Sequence, residues 1–354
     1  MTSELKQIIT EQIKKHPNLE LKDLLKLLYQ NEFGPQHLAK NELESFKSLS
    51  KELQTIDYDP CEPLFEDIGS NALRLNLKAL PRETNINYIN KIIVKSNEYF
   101  HGTNEKLVVK FGLLVVMAEN NEIPFPIQQV RDETNSFAKN GFKPISHSDI
   151  YKESYSPSYR VISKRFKQLT EAVISLSPIL KNDRKLVISI DGNAASGKTT
   201  LSEDLASLLN GEIVHCDDFF LPQNMRNAER LNAPGGNIHY ERLNDEVITL
   251  LKKPHIISYK AYDCGTDTFK ESRFLLNKNI VIVEGAYSSH PYLGNYSDFK
   301  IFLKADENLQ KERILKRNGE AMLSRFLNEW IPMENKYFKE FKTEENSDLI
   351  IRSV

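Results

Sequence analysis

The chain has 354 residues, of which 40% are hydrophobic and 27% are charged, a composition typical of globular proteins and a length sufficient for two cores. The formal net charge of −2 gives no overall basic field for nucleic acid, and no apolar run approaches the length of a membrane span. The first residues have the pattern of an amphipathic helix, not of a signal peptide. The three cysteines, Cys61, Cys216 and Cys264, have no metal-ligand spacing and cannot all pair. We therefore expect a cytoplasmic protein that binds neither membrane nor nucleic acid.

The N-terminal part of the chain is predicted to be mostly helical. Apolar residues recur at helical spacing in three segments, residues 21–30, 90–100 and 105–120. The Ser- and Tyr-rich segment 143–160 contains two prolines and indicates a domain boundary, followed by a connecting helix from about residue 160 to 177. The predicted organisation is an N-terminal domain of unknown role over residues 1–150, a linker and helix over 151–180, and a second domain over 181–354.

The pattern changes after residue 185, where short runs rich in β-branched residues alternate with helical patterns. The runs are residues 186–191, 212–216, 255–259, 279–285, 300–304 and 348–353. Apolar strands that alternate with helices are typical of a parallel sheet covered on both faces. We therefore predict an α/β domain, and we expect all six runs to be strands of its sheet.

A glycine-rich stretch follows the first of these strands and precedes an amphipathic helix. It fits G-x-x-x-x-G-K-[ST], a pattern in which the glycines let backbone N–H groups surround phosphate oxygens. Lys198 is expected to reach the β- and γ-phosphates, and the Thr199 hydroxyl to hold Mg²⁺. The alternative is a turn without a ligand, but the strand before and the helix after favour a nucleotide-phosphate site. This phosphate loop comprises Gly192, Asn193, Ala194, Ala195, Ser196, Gly197, Lys198, Thr199 and Thr200.

Carboxylates stand at the ends of two other predicted strands. Asp217 and Asp218 follow the run 212–216, and Glu284 lies near the end of the run 279–285. Ligands of open α/β sheets bind at the carboxyl ends of the strands, so these residues should face the phosphate loop. Phosphoryl transfer to an alcohol needs a base and neutralisation of phosphate charge. We predict that Asp217 is the base and also a metal ligand, and that Glu284 belongs to the Mg²⁺ shell; helix caps or solvated strand ends are the alternatives.

Five stretches together resemble the uridine kinase family of P-loop kinases, a group similar to pantothenate kinase and phosphoribulokinase. In chain order they are GNAASGKTTL, HCDDFFLP, APGGNIHYERL, YKAYDCGTDTF and IVIVEGAYSSHPYL. The resemblance covers residues 185–354 and implies ATP, Mg²⁺ and phosphorylation of a small-molecule hydroxyl. It also implies that Asp217 is the catalytic aspartate, Glu284 the metal-side glutamate and Tyr262 a residue of the nucleoside pocket.

The predicted acceptor pocket departs from the family's pattern. Uridine kinases have a histidine shortly after the pocket tyrosine, whereas this chain offers Asp267. The acceptor is therefore expected to be a nucleoside or another hydroxylated metabolite, such as a sugar, a hydroxy acid or an amino alcohol. A single histidine is more often structural than ligand-binding. With that alternative kept open, the predicted substrate-binding residues are Asp218, His239, Arg242 and Tyr262.

Two arginines lie on one face of the helix predicted over residues 306–319, because Arg313 and Arg317 are four residues apart. P-loop kinases carry a basic lid in this position, and guanidinium groups stabilise phosphoryl charge during transfer. We predict that Arg313 and Arg317 act with Lys198 and Asp217 in catalysis, and that Arg325 is a third lid arginine. The alternative is a solvated basic face.

The leading hypothesis is an ATP-dependent kinase for a small-molecule hydroxyl, with a nucleoside as the first candidate. One alternative is a kinase for a non-nucleoside metabolite. The other is an ATPase or switch whose N-terminal domain binds a partner. The position of Asp217 favours an acceptor hydroxyl over a switch. The sequence is also compatible with a homo-oligomer.

Overall fold

The computed structural model describes residues 2–39, 41–181 and 184–353. It divides into two compact units, Met1–Thr170 and Glu171–Val354. Among the helices of the described ranges, none combines the length and the apolar character needed to cross a membrane.

The first unit consists mainly of helices around one apolar core. They are α1 (Thr2–Lys15), α2 (Leu21–Phe33), α3 (Glu42–Leu53), α4 (Ile86–Ser96), α5 (Asn104–Glu119), α6 (Ile127–Lys139) and α7 (Asp149–Tyr155). The three predicted helical segments are confirmed as α2, α4 and α5. Side-chain caps fix several of the starts: Asn41 accepts the Glu44 N–H at α3, and Thr103 accepts the Lys106 N–H at α5.

The first unit also contains a three-stranded antiparallel sheet, which the sequence did not predict. Its strands are β1 (Phe65–Asp67), β2 (Ala72–Asn76) and β3 (Tyr159–Ser163), in the order β1-β2-β3. Strand β3 corrects the expectation of one connecting helix from residue 160 to 177, because a 3-10 turn (Lys164–Phe166) follows the strand and the α-helix α8 (Lys167–Leu176) begins only after it. The β-branched Val161 and Ile162 are both buried in the strand, where such side chains pack well.

The second unit is an α/β domain, which confirms the predicted fold class. Its strands are β4 (Leu186–Gly192), β5 (Glu212–His215), β6 (Ile257–Asp263), β7 (Thr268–Leu275), β8 (Ile280–Glu284), β9 (Phe299–Lys304) and β10 (Leu349–Arg352). Five of them form a parallel sheet in the order β10-β9-β4-β8-β5. Every residue of the central strand β4 is buried, as expected for a largely apolar strand of a parallel sheet. The helices are α9 (Lys198–Leu209), α10 (Ala228–Asn232), α11 (Tyr240–Glu246), α12 (Glu307–Arg325) and α13 (Ile331–Phe341).

The predicted strand at residues 255–259 is not part of the parallel sheet. It contributes to β6, which pairs with β7 in an antiparallel hairpin. Along β6, the buried Ile257 and Tyr259 alternate with the exposed Ser258 and Lys260. Such alternation is typical of a hairpin with one solvated face, and the five residues of the predicted run were too few to reveal it.

The helix predicted over residues 306–319 is α12, and it extends further than expected. Asp306 caps its start by accepting the Leu309 N–H at 2.9 Å. At Gly319 the backbone is non-helical (φ 78°, ψ 175°), but the helix resumes and continues to Arg325. A π-helical turn, Phe326–Trp330, then leads into α13. A glycine permits this kink, because it has no Cβ to clash in the left-handed region.

Candidate active site

The carboxyl ends of three neighbouring strands bring the predicted phosphate loop and metal-side residues together. Strand β8 lies between β4 and β5, and its last residue, Glu284, is in register with Ile190 on one side and His215 on the other. The Thr199 hydroxyl lies 3.4 Å from both carboxylate oxygens of Glu284. The structure therefore places these two predicted metal ligands side by side.

The phosphate loop begins and ends at glycines with positive φ. A Cβ on Gly192 would lie 2.0 Å from the Leu303 carbonyl oxygen, so only glycine fits there. Gly197 (φ 98°) is the N-cap of α9, so the first amides and the positive dipole end of that helix adjoin the loop. The Lys198 ammonium donates to the carbonyls of Gly192 at 2.8 Å and of Asn193 at 2.9 Å. This combination of amides and ammonium suits a phosphate anion.

Four consecutive loop residues are hydrogen-bonded to the C-terminal part of the second unit. The partners lie in the segment after β9, on α12, on α13 and after β10. The pairs are the Ala305 N–H to Asn193 Oδ1 at 3.0 Å, the Ala194 N–H to Glu334 Oε2 at 2.8 Å, Arg313 Nη1 to the Ala195 carbonyl at 3.1 Å, and Ser353 Oγ to the Ser196 carbonyl at 2.5 Å.

Asp217 stands at the same edge of the sheet, immediately after β5 and Cys216. Its side chain reaches solvent. Dehydration by the surrounding protein and then the negative charge of Glu284 raise its pKa, while Lys198 and His215 act in the opposite direction. A carboxylate with a raised pKa is a stronger base, so the environment of Asp217 suits proton removal from a hydroxyl.

The neighbouring Asp218 is buried and bonded to the β6–β7 hairpin. Its Oδ1 lies 3.1 Å from Arg273 Nη2, and its Oδ2 accepts from the Tyr259 hydroxyl at 3.3 Å. Burial raises the pKa of Asp218, and the Arg273 charge opposes that effect. The two adjacent aspartates therefore differ: Asp217 keeps access to solvent, whereas Asp218 connects the end of β5 to the hairpin.

His215 is part of the site, although sequence reasoning missed it. Its Nδ1 lies 2.6 Å from Glu284 Oε1, and this hydrogen bond raises the pKa of His215. The signal that could have found it is its position at the end of β5, two residues before Asp217. A polar residue at that place adjoins the end of β8.

Tyr262 lies on β6 with its hydroxyl donating to Asp267 Oδ1. Asp267 also accepts the Gln223 N–H at 3.3 Å, and its pKa is lowered chiefly by the hydrogen bond from Tyr262. The aspartate that stands where a histidine was expected thus connects the hairpin to the segment after β5. A substrate-binding role of Tyr262 stays a prediction.

The other two predicted substrate-binding residues lie at the start of α11. His239 is the N-cap of that helix, and its Nδ1 accepts the Arg242 N–H at 3.2 Å. Arg242 donates from Nε to Glu246 at 2.8 Å, and its guanidinium lies 4.4 Å from the centre of the Phe219 ring. Both side chains therefore have structural contacts, and their binding roles stay predictions.

The predicted lid arginines occupy different environments along α12. Arg313 reaches the phosphate loop through the Ala195 carbonyl. Arg317 is exposed one turn later and donates to Asn318 Oδ1 at 2.8 Å. Arg325, beyond the kink, lies 3.4 Å from Glu329 and 5.0 Å from the centre of the Trp330 ring. Of the three, Arg313 is the one that the structure places against the loop.

Helix α13 contributes two buried residues that the sequence analysis did not single out. Glu334 bonds to the Ala194 N–H, and burial raises its pKa to about 7. One turn later, the Tyr337 hydroxyl donates to Asp191 Oδ2 at 2.9 Å. Asp191 is itself buried and accepts the Gly192 N–H at 2.8 Å. No motif in the sequence marks Glu334, because its partner is 140 residues away.

Comparison with known proteins relates the second unit to a family of kinases. Residues 187–321 match the model of the Phosphoribulokinase / Uridine kinase family. A uridine kinase of Staphylococcus haemolyticus is 26% identical over 180 residues, covering 47% of this chain and 86% of that protein. A pantothenate kinase of Streptococcus equi subsp. zooepidemicus is 29% identical over 163 residues, covering 40% of this chain and 53% of that protein.

A solved structure described as a possible uridine kinase from Bacillus stearothermophilus has 21% identity and a TM-score of 0.40, covering 50% of this chain and 97% of that one. All these matches cover about half of the chain or less, and the family model lies wholly within the second unit. Over its C-terminal half this chain is therefore similar to the Phosphoribulokinase / Uridine kinase family and to uridine and pantothenate kinases.

Proposed function

We propose that this protein transfers the γ-phosphoryl group of ATP to a hydroxyl group of a small molecule. One observation carries the proposal: the Lys198 ammonium contacts the loop carbonyls, and the Thr199 hydroxyl lies 3.4 Å from the Glu284 carboxylate, at the edge of the sheet where Asp217 follows β5. Here Asp217 has a raised pKa and accepts the hydroxyl proton. Lys198, with Arg313 and Arg317, neutralises the charge of the phosphoryl group during transfer.

The residues of the loop fit a nucleotide with a divalent cation. Gly197 and the first amides of α9 provide donors for phosphate oxygens, and the Thr199 hydroxyl with the Glu284 carboxylate provides oxygen ligands of the kind that Mg²⁺ prefers. When bound, Mg²⁺ supplies neutralisation of phosphate charge. Asp217 follows β5, the strand that pairs with β8 and its terminal Glu284, and this position supports its predicted place beside the metal.

A pocket of about 550 Å³ lies next to the loop and is the candidate position for the base of the nucleotide. Its lining includes Leu309 and Glu312 of α12 and, on the other side, Ser353. Ser353 also bonds to the Ser196 carbonyl, so one residue of the pocket lining contacts the phosphate loop.

A nucleoside is the first candidate for the acceptor, since a uridine kinase is among the relatives. A non-nucleoside hydroxylated metabolite is the second candidate. The contact between Tyr262 and Asp267 favours this second candidate. The Tyr262 hydroxyl, which was expected to face a nucleoside, is already hydrogen-bonded to an aspartate. The similarity to pantothenate kinases supports the same alternative.

The test is ADP release from ATP and Mg²⁺ by the full chain, against nucleosides, sugars, hydroxy acids including pantothenate, and amino alcohols. Lys198→Ala serves as the control for contaminating kinases. We expect one class of acceptor to stimulate ADP release and to gain a phosphoryl group, detected by mass spectrometry. Equal ADP release with and without every acceptor would instead favour an ATPase or switch, with the first unit as the place where a partner binds.

A further inference from the structure

Helix α13 has no assigned part in phosphoryl transfer, yet two of its residues contact the strand and loop that hold phosphate. Glu334 accepts the Ala194 N–H at 2.8 Å, and the Tyr337 hydroxyl bonds to Asp191 at 2.9 Å. The relative exposure of Glu334 is 8% and that of Tyr337 is 0%, so both contacts are shielded from water. The two residues lie three positions apart and therefore face the same side of the helix.

The position of Glu334 is energetically unusual. Its carboxyl is buried near two further acids, Asp191 and Asp217, and near the Lys198 ammonium. Burial of an acid next to other acids is unfavourable unless hydrogen bonds or cations compensate it. The Ala194 N–H and Lys198 supply that compensation, and both belong to the phosphate loop. Perturbed groups of this kind concentrate at functional sites.

The loop backbone next to this contact is strained. Ala195 has φ 57°, in the left-handed region that side-chain-bearing residues seldom adopt. The residue before it, Ala194, is bonded to Glu334, and the residue after it, Ser196, is bonded to Ser353. Such a conformation persists only where the surroundings hold it, and these bonds fix both neighbours of Ala195.

We propose that Glu334 is a positioning residue of the phosphate loop: its carboxyl holds the Ala194 N–H so that the loop is already in its binding conformation when the nucleotide arrives. The proposal rests on the proposed function in one respect, namely that this loop binds ATP. A preformed loop loses less conformational entropy on binding, so the contact increases affinity for ATP without touching it.

The experiment compares four variants of the full chain. Glu334→Ala removes the acceptor, Glu334→Asp withdraws it by one methylene group, and Glu334→Gln keeps an oxygen that accepts the same N–H. Glu340→Gln, at an exposed position of the same helix, is the matched control. Hydrogen exchange of peptides covering residues 192–197 is measured without nucleotide, and ATP·Mg²⁺ affinity is measured by calorimetry.

Removing the acceptor leaves the buried Ala194 N–H unsatisfied, an effect of roughly 10- to 100-fold, so we expect Glu334→Ala to accelerate exchange in the loop and weaken ATP binding within that range. Glu334→Gln should restore both to within about threefold of the parent, because its amide oxygen replaces the carboxyl as acceptor. Glu340→Gln should change neither. If Glu334→Ala does not fold, Glu334→Asp takes its place. We then expect faster loop exchange and weaker ATP binding in Glu334→Asp than in Glu334→Gln, and equal values in the two variants would overturn the inference.

Unchanged loop exchange in Glu334→Ala would overturn the inference, and so would tighter ATP binding, which would mean that the carboxyl competes with phosphate. If the parent protein bound no ATP, the proposed function would fail, but the exchange measurement would still decide whether Glu334 holds the loop. The two failures are therefore distinguishable.

Discussion

The imidazole of His215 and the carboxylate of Glu284, paired in register on adjacent parallel strands, lie 2.6 Å apart at the end of the sheet. The same carboxylate lies 3.4 Å from the Thr199 hydroxyl. His215 thus fixes the direction of a carboxylate that we propose as part of the Mg²⁺ shell, as outer residues do in other metal sites.

Replacing His215 should therefore weaken the response to Mg²⁺ more than the binding of the acceptor. We expect His215→Ala to raise the Mg²⁺ concentration for half-maximal ADP release by about 10-fold, the lower end of the usual effect of such residues. His215→Asn keeps a hydrogen-bond donor, so its Mg²⁺ concentration for half-maximal ADP release should lie between those of the parent and His215→Ala. A Mg²⁺ titration that is identical for the parent and His215→Ala would contradict this role.

Asp217→Asn tests the base. An amide cannot accept the hydroxyl proton, so turnover should fall by roughly 100- to 10,000-fold, the usual range for general base catalysis. The affinity for ATP·Mg²⁺ should change little, because the proton comes from the acceptor. Asp245→Asn, at an exposed position of α11, is the control. Full turnover by a correctly folded Asp217→Asn protein would refute the assignment.

Lys198→Ala tests the phosphate loop itself. Its ammonium is the cation nearest to the loop carbonyls of Gly192 and Asn193 among the contacts described above. Loss of one charge-stabilising donor lowers turnover by about 100- to 1,000-fold. The exposed Lys316 of α12 provides the matched control, Lys316→Ala. Near-normal turnover in Lys198→Ala would show that the measured turnover does not depend on this loop.

A buried histidine makes the stability of the first unit pH-dependent. His147 Nδ1 lies 2.7 Å from Asp23 Oδ1, and His147 Nε2 lies 2.6 Å from the Tyr159 hydroxyl. Burial lowers the pKa of His147 to about 4 from 6.5, so the folded unit keeps this histidine neutral. The hydrogen bonds from His147 and Ser148 outweigh the effect of burial on Asp23 and lower its pKa to about 2.

Between pH 4 and 6.5 the unfolded chain therefore binds more protons at His147 than the folded unit does. This histidine therefore does not lower the free energy of unfolding above about pH 6.5. As the pH falls from 6.5 towards 4, the free energy of unfolding decreases by on the order of 3 kcal/mol. Hydrogen exchange of α2 and β3 peptides at pH 7 and pH 4.5 measures this loss. His147→Asn, which does not titrate, should lose less stability over the same interval. An equal loss in both proteins would assign the acid sensitivity to other groups.

The main sheet could be predicted because each of its strands is a nearly continuous apolar run with helical sequence on either side. Strand β3 could not, because YRVIS is short, contains an arginine and pairs with a strand more than 80 residues earlier. Strand β6 was found, but not its partner or its sheet, since an antiparallel hairpin and a parallel sheet use the same β-branched residues.

The residues of the candidate site likewise divide into those that the sequence predicted and those that it did not. The phosphate loop, Asp217 and Glu284 follow strands directly, so chain order predicted that they would meet at one edge. His215 and Glu334 carry no local pattern, and their contacts depend on how distant segments pack. Two of the four side chains assigned to the acceptor, His239 and Arg242, lie at the start of α11 and have structural contacts there. Sequence alone cannot distinguish a helix cap from a ligand contact.

The four bonds that hold residues 193–196 have a consequence for the synthesis of the chain. They join residues that are 112, 140, 118 and 157 positions apart, so the loop leaves the ribosome long before its supports. A nascent chain that has reached residue 300 contains the complete Gly-Lys-Thr signature but none of these bonds. Contacts of such long separation form late in folding. The loop therefore gains these supports only after residues 305–353 have been synthesised, and a chain truncated before residue 305 would contain the motif without any of the four bonds.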